Sequence, residues 1–272
     1  MRLRSLGSGS TGNASLVEST DGLRTTRVLL DCGFSQRELA QRLARAGVAV
    51  EQIDAIFVTH EHGDHVGCAL ALSRRHRIPL WMSRGTWRAV NRVVDYAGPL
   101  FAEEPAPADD DLVFFARDGE CIDIDGLRLV PYTVPHDAQE PLQVTFTDGS
   151  GRLGVLTDAG CLTAHILANL SACDSLLLES NHDPALLAAS AYPASLKARI
   201  SGRLGHLSNP VAAEILAGVA HPGLRHVVAA HLSERNNTVE LARGTLAHAL
   251  GASSDDIEVA DPKTGTEWIV VA

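Results

Sequence analysis

The sequence predicts an α/β protein in which mixed sheets lie between outer layers of helices. Short apolar runs of strand length recur along the 272 residues, and helical patterns alternate with them in both flanking parts of the chain. Between residues 112 and 157 the strands follow one another without helices, which predicts antiparallel hairpins. Helices packed outside such sheets bury the apolar faces of both.

Nine apolar runs have the length of strands, and several are bounded by Asp, Gly or Pro. Asp148-Gly149 is expected to form a turn between two of them. The runs are Val28–Leu30, Ala55–Val58, Val113–Phe115, Leu127–Val130, Val144–Phe146, Leu153–Leu156, Ser175–Leu178, Val227–Ala230 and Trp268–Val271.

Six segments have helical patterns, and some carry signals at their ends. Gly47 follows an apolar face as a C-terminal cap, and Pro210 after Ser208-Asn209 is typical of a helix start. The segments are Glu38–Ala46, Val66–Arg75, Thr86–Val94, Pro193–Ile200, Pro210–Val219 and Thr238–Leu250.

Composition and charge exclude several classes of protein. With 45% hydrophobic and 21% charged residues, the chain is neither disordered nor fibrous. A net charge of −10 argues against a non-specific grip on nucleic acid, but not against a nucleic-acid substrate, because bound divalent cations add positive charge. Five scattered cysteines without a C-x-x-C pair predict free thiols in a reducing compartment. With no leader and no apolar run of about 18 residues, we expect a soluble cytoplasmic protein that does not enter membranes.

We expect a single domain, residues 1–272. The acidic segment Ala102–Asp111, AEEPAPADDD, resembles a domain linker in composition. Candidate site residues lie on both sides of it, however, so we predict a surface loop within one domain.

The stretch Thr59–Gly67, THEHGDHVG, follows a buried type of strand and carries an unusual density of polar groups. In an extended segment His60 and His62 project to the same side, and after the next glycine the chain turns, so that Asp64 and His65 can point back from a helix start. This arrangement offers the first two residues to one metal ion and the last two to a second. Imidazole and carboxylate ligands suit zinc, iron or manganese.

Four local ligands cannot complete two metal sites, so further ligands should come from elsewhere. Glu61 is left out of the set because it faces away from its neighbours in an extended segment. His136, Asp158 and His231 each stand where an apolar strand ends, and a carboxylate can bridge two cations. Taken singly, they could be a turn residue, a helix cap and a buried core histidine. As a set beside THEHGDH they favour a metal site.

The order His-x-His-x-Asp-His at 60–65, followed by His136, Asp158 and His231, resembles the metallo-β-lactamase superfamily over nearly the whole chain. The resemblance implies a four-layer αββα sandwich with a dinuclear site at one edge of its two sheets, and hydrolysis by a metal-bridging hydroxide. It implies one ion on His60, His62 and His136, a second on Asp64, His65 and His231, and Asp158 as the bridge. Asp31, in LLDCG, either orients a ligand histidine or is a turn residue.

Three later stretches are similar to motifs of tRNase Z-type phosphodiesterases: LLLESNHD (176–183), GHLSNPVAAEILA (205–217) and AAHLSERNNTVELA (229–242). The likeness implies that Glu179 and His206 form a proton-donating pair beside the metals. Together with the metal ligand Asp64, they are the predicted catalytic residues. A sugar oxygen is a poor leaving group unless protonated, and a histidine held by a carboxylate supplies that proton. The alternatives are a helix-capping or structural role for His206 and a surface carboxylate for Glu179.

SLGSGSTGNA (5–14), VPHDAQEP (134–141) and the motifs above resemble the WalJ/YycJ-type branch, whose members are regarded as bacterial 5′-to-3′ DNA exonucleases. The glycine-rich stretch either approaches a phosphate with backbone N–H groups or is a turn between strands. The long substrate-gripping insertions of tRNase Z have no counterpart here, which argues against tRNA as the substrate.

We therefore predict a dinuclear metal-dependent phosphodiesterase that acts on nucleic-acid ends, with DNA favoured over RNA. Zinc is the first choice of metal, with manganese or iron as alternatives. The rival functions are a lactone or thioester hydrolase, a tRNase Z-like endoribonuclease and a non-catalytic binding module. The oligomeric state is open, with a dimer as one option.

Overall fold

The computed structural model describes residues 1–96 and 111–272, which form two seven-stranded sheets with helices on their outer faces. In chain order the strands are β1 (Arg2–Gly7), β2 (Ala14–Thr20), β3 (Thr25–Leu30), β4 (Ala55–Phe57), β5 (Leu80–Met82), β6 (Val113–Phe115), β7 (Ile122–Ile124), β8 (Leu127–Thr133), β9 (Leu142–Thr147), β10 (Arg152–Leu156), β11 (Ser175–Glu179), β12 (His226–Ala230), β13 (Ile257–Val259) and β14 (Ile269–Val270).

Helices connect many of the parallel strands. They are α1 (Gln36–Arg45), α2 (Gly63–Val66), α3 (Ala69–His76), α4 (Arg84–Tyr96), α5 (Ala164–Leu170), α6 (Pro184–Ala189), α7 (Ala194–Ile200), α8 (Asn209–Val219) and α9 (Val239–Leu250). Within the described ranges, no helix is long and apolar enough to cross a membrane.

The two sheets share one plan, in which half of each sheet is antiparallel and half is parallel. The first has the order β14-β1-β2-β3-β4-β5-β6, and the second β13-β12-β11-β10-β9-β8-β7. In the first sheet β3 to β6 run parallel, and in the second β10 to β13 do. Parallel strands bring their carboxyl ends to a common edge, and loops at such edges commonly carry functional groups.

Alternating side chains divide the apolar core into three layers. In β3, Val28 and Leu30 pack between the two sheets, whereas Leu29 packs under the outer helices α1 and α3. In β11, Leu177 faces the space between the sheets and Leu178 faces α5, α8 and α9. Because both faces of these strands are buried, their sequences are continuous runs of apolar residues. The resulting order of layers is the αββα arrangement that the sequence predicted.

Two predictions about the elements are wrong. Val66–Arg75 is not one helix: α2 ends at Val66 and α3 begins at Ala69. Gly67 between them has a φ of 31°, and a side chain there would overlap the backbone of Cys32 and Gly33. The strand Val113–Phe115 does not join the middle hairpins. It pairs in parallel with β5 in the first sheet, so the antiparallel hairpins run only from β7 to β10.

Other predictions agree with the structure. All nine expected strands are present, Gly47 follows α1 with a φ of 75°, and all five cysteines are free thiols. Apart from Asp111, the predicted loop Ala102–Asp111 lies outside the described residues.

Candidate metal centre

The strand-end loops of both sheets converge on one cluster of imidazoles and carboxylates. β4 leads into the histidine-rich loop and α2, while β8, β10, β11 and β12 each deliver one residue at or just beyond their ends, and the loop before α8 adds another. In the part of the chain that the structure describes, the cluster contains four sets of three or four residues that could each hold a metal ion, here called the metal-like groups. Within each group the donor atoms lie within 4.8 Å of one another. The structure thus brings together all nine residues that the sequence singled out: His60, His62, Asp64, His65, His136, Asp158, Glu179, His206 and His231.

Three residues beside strand ends at this edge adopt left-handed backbone conformations. Asp31 has a φ of 60°, and Asp158 and His231 each have a φ of 54°. A positive φ is uncommon outside glycine and costs free energy, although Asp and His tolerate it better than most residues. The sharp turns direct these side chains toward the cluster.

Several histidines are anchored through Nδ1, which leaves Nε2 facing the centre. His62 differs, because its Nδ1 lies 3.3 Å from His136 Nε2. His65 Nδ1 donates to Asp31 Oδ2 at 2.8 Å, and His136 Nδ1 donates to the Gly205 carbonyl at 3.0 Å. A carboxylate and a carbonyl can only accept, so Nδ1 of each ring carries a proton, and a metal ion would bind Nε2. Metal-binding histidines are typically held in this way. Asp31 therefore orients a histidine, as one of its two predicted roles required.

Two inward-facing nitrogens fit a metal particularly well. His60 and His231 are 1% and 2% exposed, and within the described residues neither Nε2 has a hydrogen-bond partner. Unpaired buried polar atoms are costly and rare, and ligation is one way to satisfy them. Nitrogen and carboxylate donors grouped as His60, His62 and His136, and as Asp64, His65 and His231, match the donor sets that divalent metals prefer.

Asp158 lies between these two groups. Its Oδ2 is 2.8 Å from His65 Nε2, and its Oδ1 is 3.8 Å from His136 Nε2. Burial disfavours the charged carboxylate, but the neighbouring His231 and His65 outweigh burial and hold the pKa of Asp158 well below its usual value. The helix-cap alternative for Asp158 is wrong, because Thr163 caps α5.

The histidines differ in charge according to their surroundings. Burial, reinforced by the neighbouring His65, lowers the pKa of His60 well below its ordinary value. Burial also disfavours the charged form of His231, but Asp158 with Asp64 and Glu179 outweighs it and raises the pKa of His231 to about 9. In the metal-free protein the cluster therefore holds neutral and protonated rings side by side.

Glu179 and His206 form a hydrogen-bonded pair at the border of the cluster. Glu179 is fully buried, so the surface-carboxylate alternative is wrong; its Oε1 accepts from His206 Nδ1 at 2.8 Å. The side chain of His206 is 23% exposed, and Ser208 rather than His206 occupies the N-cap of α8. Burial opposes charge on His206, but Glu179 and Asp158 raise the pKa of His206 well above its usual value.

The second oxygen of Glu179 fixes the carboxylate in place. Oε2 accepts from the backbone N–H groups of Ala159 at 2.9 Å and Leu207 at 3.2 Å. Oε1 also lies 3.2 Å from His231 Nδ1. Glu179 therefore joins the loops after β10, β11 and β12 in one network.

Sequence reasoning did not predict that the turn between β1 and β2 contacts the loops that carry the candidate ligands. Ser8 Oγ accepts from the His231 backbone N–H at 2.8 Å, and the side chain of Asn13 lies 3.1 Å from His65 Nε2 and 3.3 Å from the Asp64 carbonyl. The glycine-rich stretch SLGSGSTGNA was the available signal, and it is indeed a turn between strands.

Glu61 lies outside the metal-like groups, as expected, and has a separate contact. Its Oε1 accepts from the Gln139 backbone N–H at 2.7 Å, which ties the histidine-rich loop to the loop after β8. Asp137 was also missed: it lies 3.5 Å from His136 Nε2 and accepts from Arg199 at 2.6 Å.

Comparison with known proteins identifies the family. The family model described as the beta-lactamase superfamily domain matches residues 26–232. The chain belongs to the metallo-β-lactamase superfamily. It is a metal-dependent hydrolase, as the sequence predicted, and the fold implies bound divalent metal ions.

Relatives within the superfamily match over most of their length. The chain is 30% identical to "Exodeoxyribonuclease YycJ" of Bacillus anthracis over 268 residues, which is 96% of each protein. It is 30% identical to "Exodeoxyribonuclease WalJ" of Streptococcus pneumoniae over 245 residues, 90% of this chain and 86% of the relative. The metallo-beta-lactamase fold protein YhfI from Bacillus subtilis superposes with a TM-score of 0.71 at 15% identity, with 99% of each chain covered, and supports the fold.

Proposed function

We propose that the protein is a dinuclear metal-dependent phosphodiesterase that acts on nucleic-acid ends, with DNA as the favoured substrate. The observation that carries this proposal is the Glu179–His206 pair, which shares one of the metal-like groups with Asp158 and His231 and has its imidazole partly open to solvent. A lactone or thioester hydrolase has less need of a fixed proton donor, because its leaving group is better. The exodeoxyribonuclease names of relatives at 30% identity support the same substrate class.

His60, His62 and His136 would hold one ion, and Asp64, His65 and His231 the other, with Asp158 between them. Zinc suits this donor set, and manganese or iron are the alternatives. Two such cations, when bound, lower the pKa of a shared water molecule and neutralise negative charge on a phosphate.

The residues of the chain supply positioning and the proton. Glu179 accepts from Nδ1 of His206, which fixes the ring and leaves Nε2 for the leaving oxygen. His206 Nε2–H donates its proton to that sugar oxygen as the bond to phosphorus breaks. Asp31 and Asn13 hold His65 and the Asp64 loop in place, so that the ligand loops keep their geometry.

A substrate panel tests this proposal. Protein loaded with zinc or manganese is assayed on bis(p-nitrophenyl) phosphate, on end-labelled single- and double-stranded DNA and RNA, and on lactones and thioesters. We expect phosphodiester cleavage and stepwise shortening of DNA from an end. Turnover of lactones or thioesters with no cleavage of any phosphodiester would overturn the proposal.

A further inference from the structure

A pocket of about 470 Å³ adjoins the cluster on the side of His206. Its walls come from α6, α7 and the start of α8, and His206 itself forms part of the lining. The volume is within the range of roughly 300–1,000 Å³ of sites for small organic molecules, toward its lower end. His206 thus borders both the cluster and the pocket, so a group attached to an oxygen that it protonates can extend into the pocket.

The lining combines apolar walls with a few polar groups. Pro184, Leu187 and Val211 provide apolar surface, while Ser201 and Ser208 provide hydroxyls. Sites of this kind hold a flat apolar face by contact and fix its orientation with a small number of hydrogen bonds.

His182 is the least expected member of the lining. It is 2% exposed, and among the described residues its Nδ1 has no hydrogen-bond partner. The Asn209 backbone N–H donates to the His182 carbonyl at 2.9 Å, so the backbone on which the ring stands is fixed. A buried imidazole nitrogen without a partner is costly, and the ring that carries it forms part of the pocket lining.

Lys197 gives the pocket a positive charge. It is one of only two lysines in the chain, and its Nζ donates to the Ala188 carbonyl at 2.6 Å, which links α7 to α6 across the lining. A cation in this position favours an anionic ligand, such as a nucleotide, over a neutral one.

We propose that this pocket binds the nucleoside on the leaving-group side of the scissile phosphodiester. The inference rests on the proposed function, because it takes His206 as the group that protonates the leaving oxygen. The base packs on the apolar walls, His182 and the serines meet its polar edge or the sugar, and Lys197 faces a flanking phosphate. The volume admits one nucleoside, which favours removal of nucleotides one at a time.

The reaction balances in this orientation. The oxygen of a water molecule forms a bond to phosphorus, one water proton passes to solvent, and the bond from phosphorus to the 3′-oxygen of the pocket-bound nucleotide breaks. His206 transfers its proton to that 3′-oxygen. The products are a nucleotide with a 3′-hydroxyl and a remaining strand with a 5′-phosphate.

The test is calorimetric titration of zinc-loaded protein with thymidine 5′-monophosphate and, for comparison, with 2-deoxyribose 5-phosphate, which lacks the base. Ala198→Trp places a bulky ring in the pocket from an exposed position on α7, and Ala194→Trp is the matched control on the same helix outside the lining. We expect Ala198→Trp to weaken nucleotide binding by about ten-fold or more. We expect Ala194→Trp to bind like the wild type, and the sugar phosphate to bind about ten-fold more weakly than the nucleotide.

Two results would overturn the pocket assignment: nucleotide binding that Ala198→Trp leaves intact, or equal affinity for the nucleotide and the sugar phosphate. A parallel assay on bis(p-nitrophenyl) phosphate separates this inference from the proposed function. If the protein hydrolyses the phosphodiester but binds the nucleotide no more tightly than the sugar phosphate, the pocket assignment is wrong and the proposed function stands. Nucleotide binding that Ala198→Trp abolishes, in a protein that hydrolyses no phosphodiester, supports a nucleotide site in the pocket but removes the proposed function and, with it, the leaving-group assignment.

Discussion

The carboxylate of Glu179 accepts a hydrogen bond of 2.8 Å from Nδ1 of His206, and both groups belong to the cluster of candidate metal ligands. The same oxygen is 3.2 Å from His231 Nδ1. One buried carboxylate thus positions both the proposed proton donor and a proposed metal ligand, so its loss should affect turnover and stability together.

Glu179→Gln keeps the shape of the side chain but replaces one acceptor by an N–H₂ group. Whichever way the amide turns, it directs a donor at N–H groups that Glu179 now satisfies, on His206 and His231 or on Ala159 and Leu207. We expect the free energy of unfolding of the metal-free protein to fall by about 1–3 kcal/mol, measured by chemical denaturation. The exposed Glu234→Gln serves as control, and equal stability of the two variants would contradict the prediction.

Asp31→Asn tests whether the orienting carboxylate matters to the metals. Asp31 is 3% exposed, and besides its bond to His65 it accepts from the Thr59 backbone N–H at 2.9 Å. Because loss of such supporting contacts typically weakens metal binding by about 10–100-fold, we expect that range for zinc in a competition titration with a chelator. The exposed Asp255→Asn should bind zinc like the wild type, and an Asp31→Asn protein that does so too would contradict the account.

Metal binding should depend on pH, because a protonated histidine must lose its proton to bind a cation. The pKa of His231 is about 9 in the metal-free protein, above its ordinary value, and that of His65 is also raised. The protonated rings stabilise the metal-free fold at pH below the ordinary histidine pKa of about 6.5, and this contribution is lost as pH rises through about 9. The apparent affinity for zinc should therefore increase from pH 7 to pH 9.

Calorimetry in buffers of different ionisation enthalpy measures the protons released on metal binding. We expect release at pH 7 and progressively less release as the pH passes about 9, the pKa of His231. A proton count and an affinity that stay constant from pH 7 to pH 9 would contradict the placement of His231 among the ligands.

Much of the site could be predicted from the sequence because its residues stand directly after apolar strands. His60, Asp158 and His231 follow runs that are buried on both faces, and a polar group in such a place requires a partner. The strands β3, β4 and β10 to β12 were equally clear, since each contains a short run of apolar residues.

The rest depended on contacts between distant parts of the chain. Ser8 accepts a hydrogen bond from His231, which is 223 residues away in the sequence, and no local sequence pattern predicts such a contact. Strands β1 and β2 alternate apolar residues with Arg, Ser or Glu and lack the continuous apolar runs that predicted strands such as β3 and β11. The break at Gly67 coincides with the close approach of the backbone at Cys32, which only the folded structure brings near.

The central claim, that His206 protonates a poor leaving group, is tested most directly by comparing two substrates in His206→Ala. A dinucleotide expels a sugar oxygen that needs a proton, whereas bis(p-nitrophenyl) phosphate expels p-nitrophenolate, which does not. With metal content equal to the wild type by elemental analysis, turnover should fall about 10²–10⁴-fold on the dinucleotide and less than about ten-fold on the p-nitrophenyl ester. Equal losses on both substrates, or undiminished cleavage of the dinucleotide, would contradict the account.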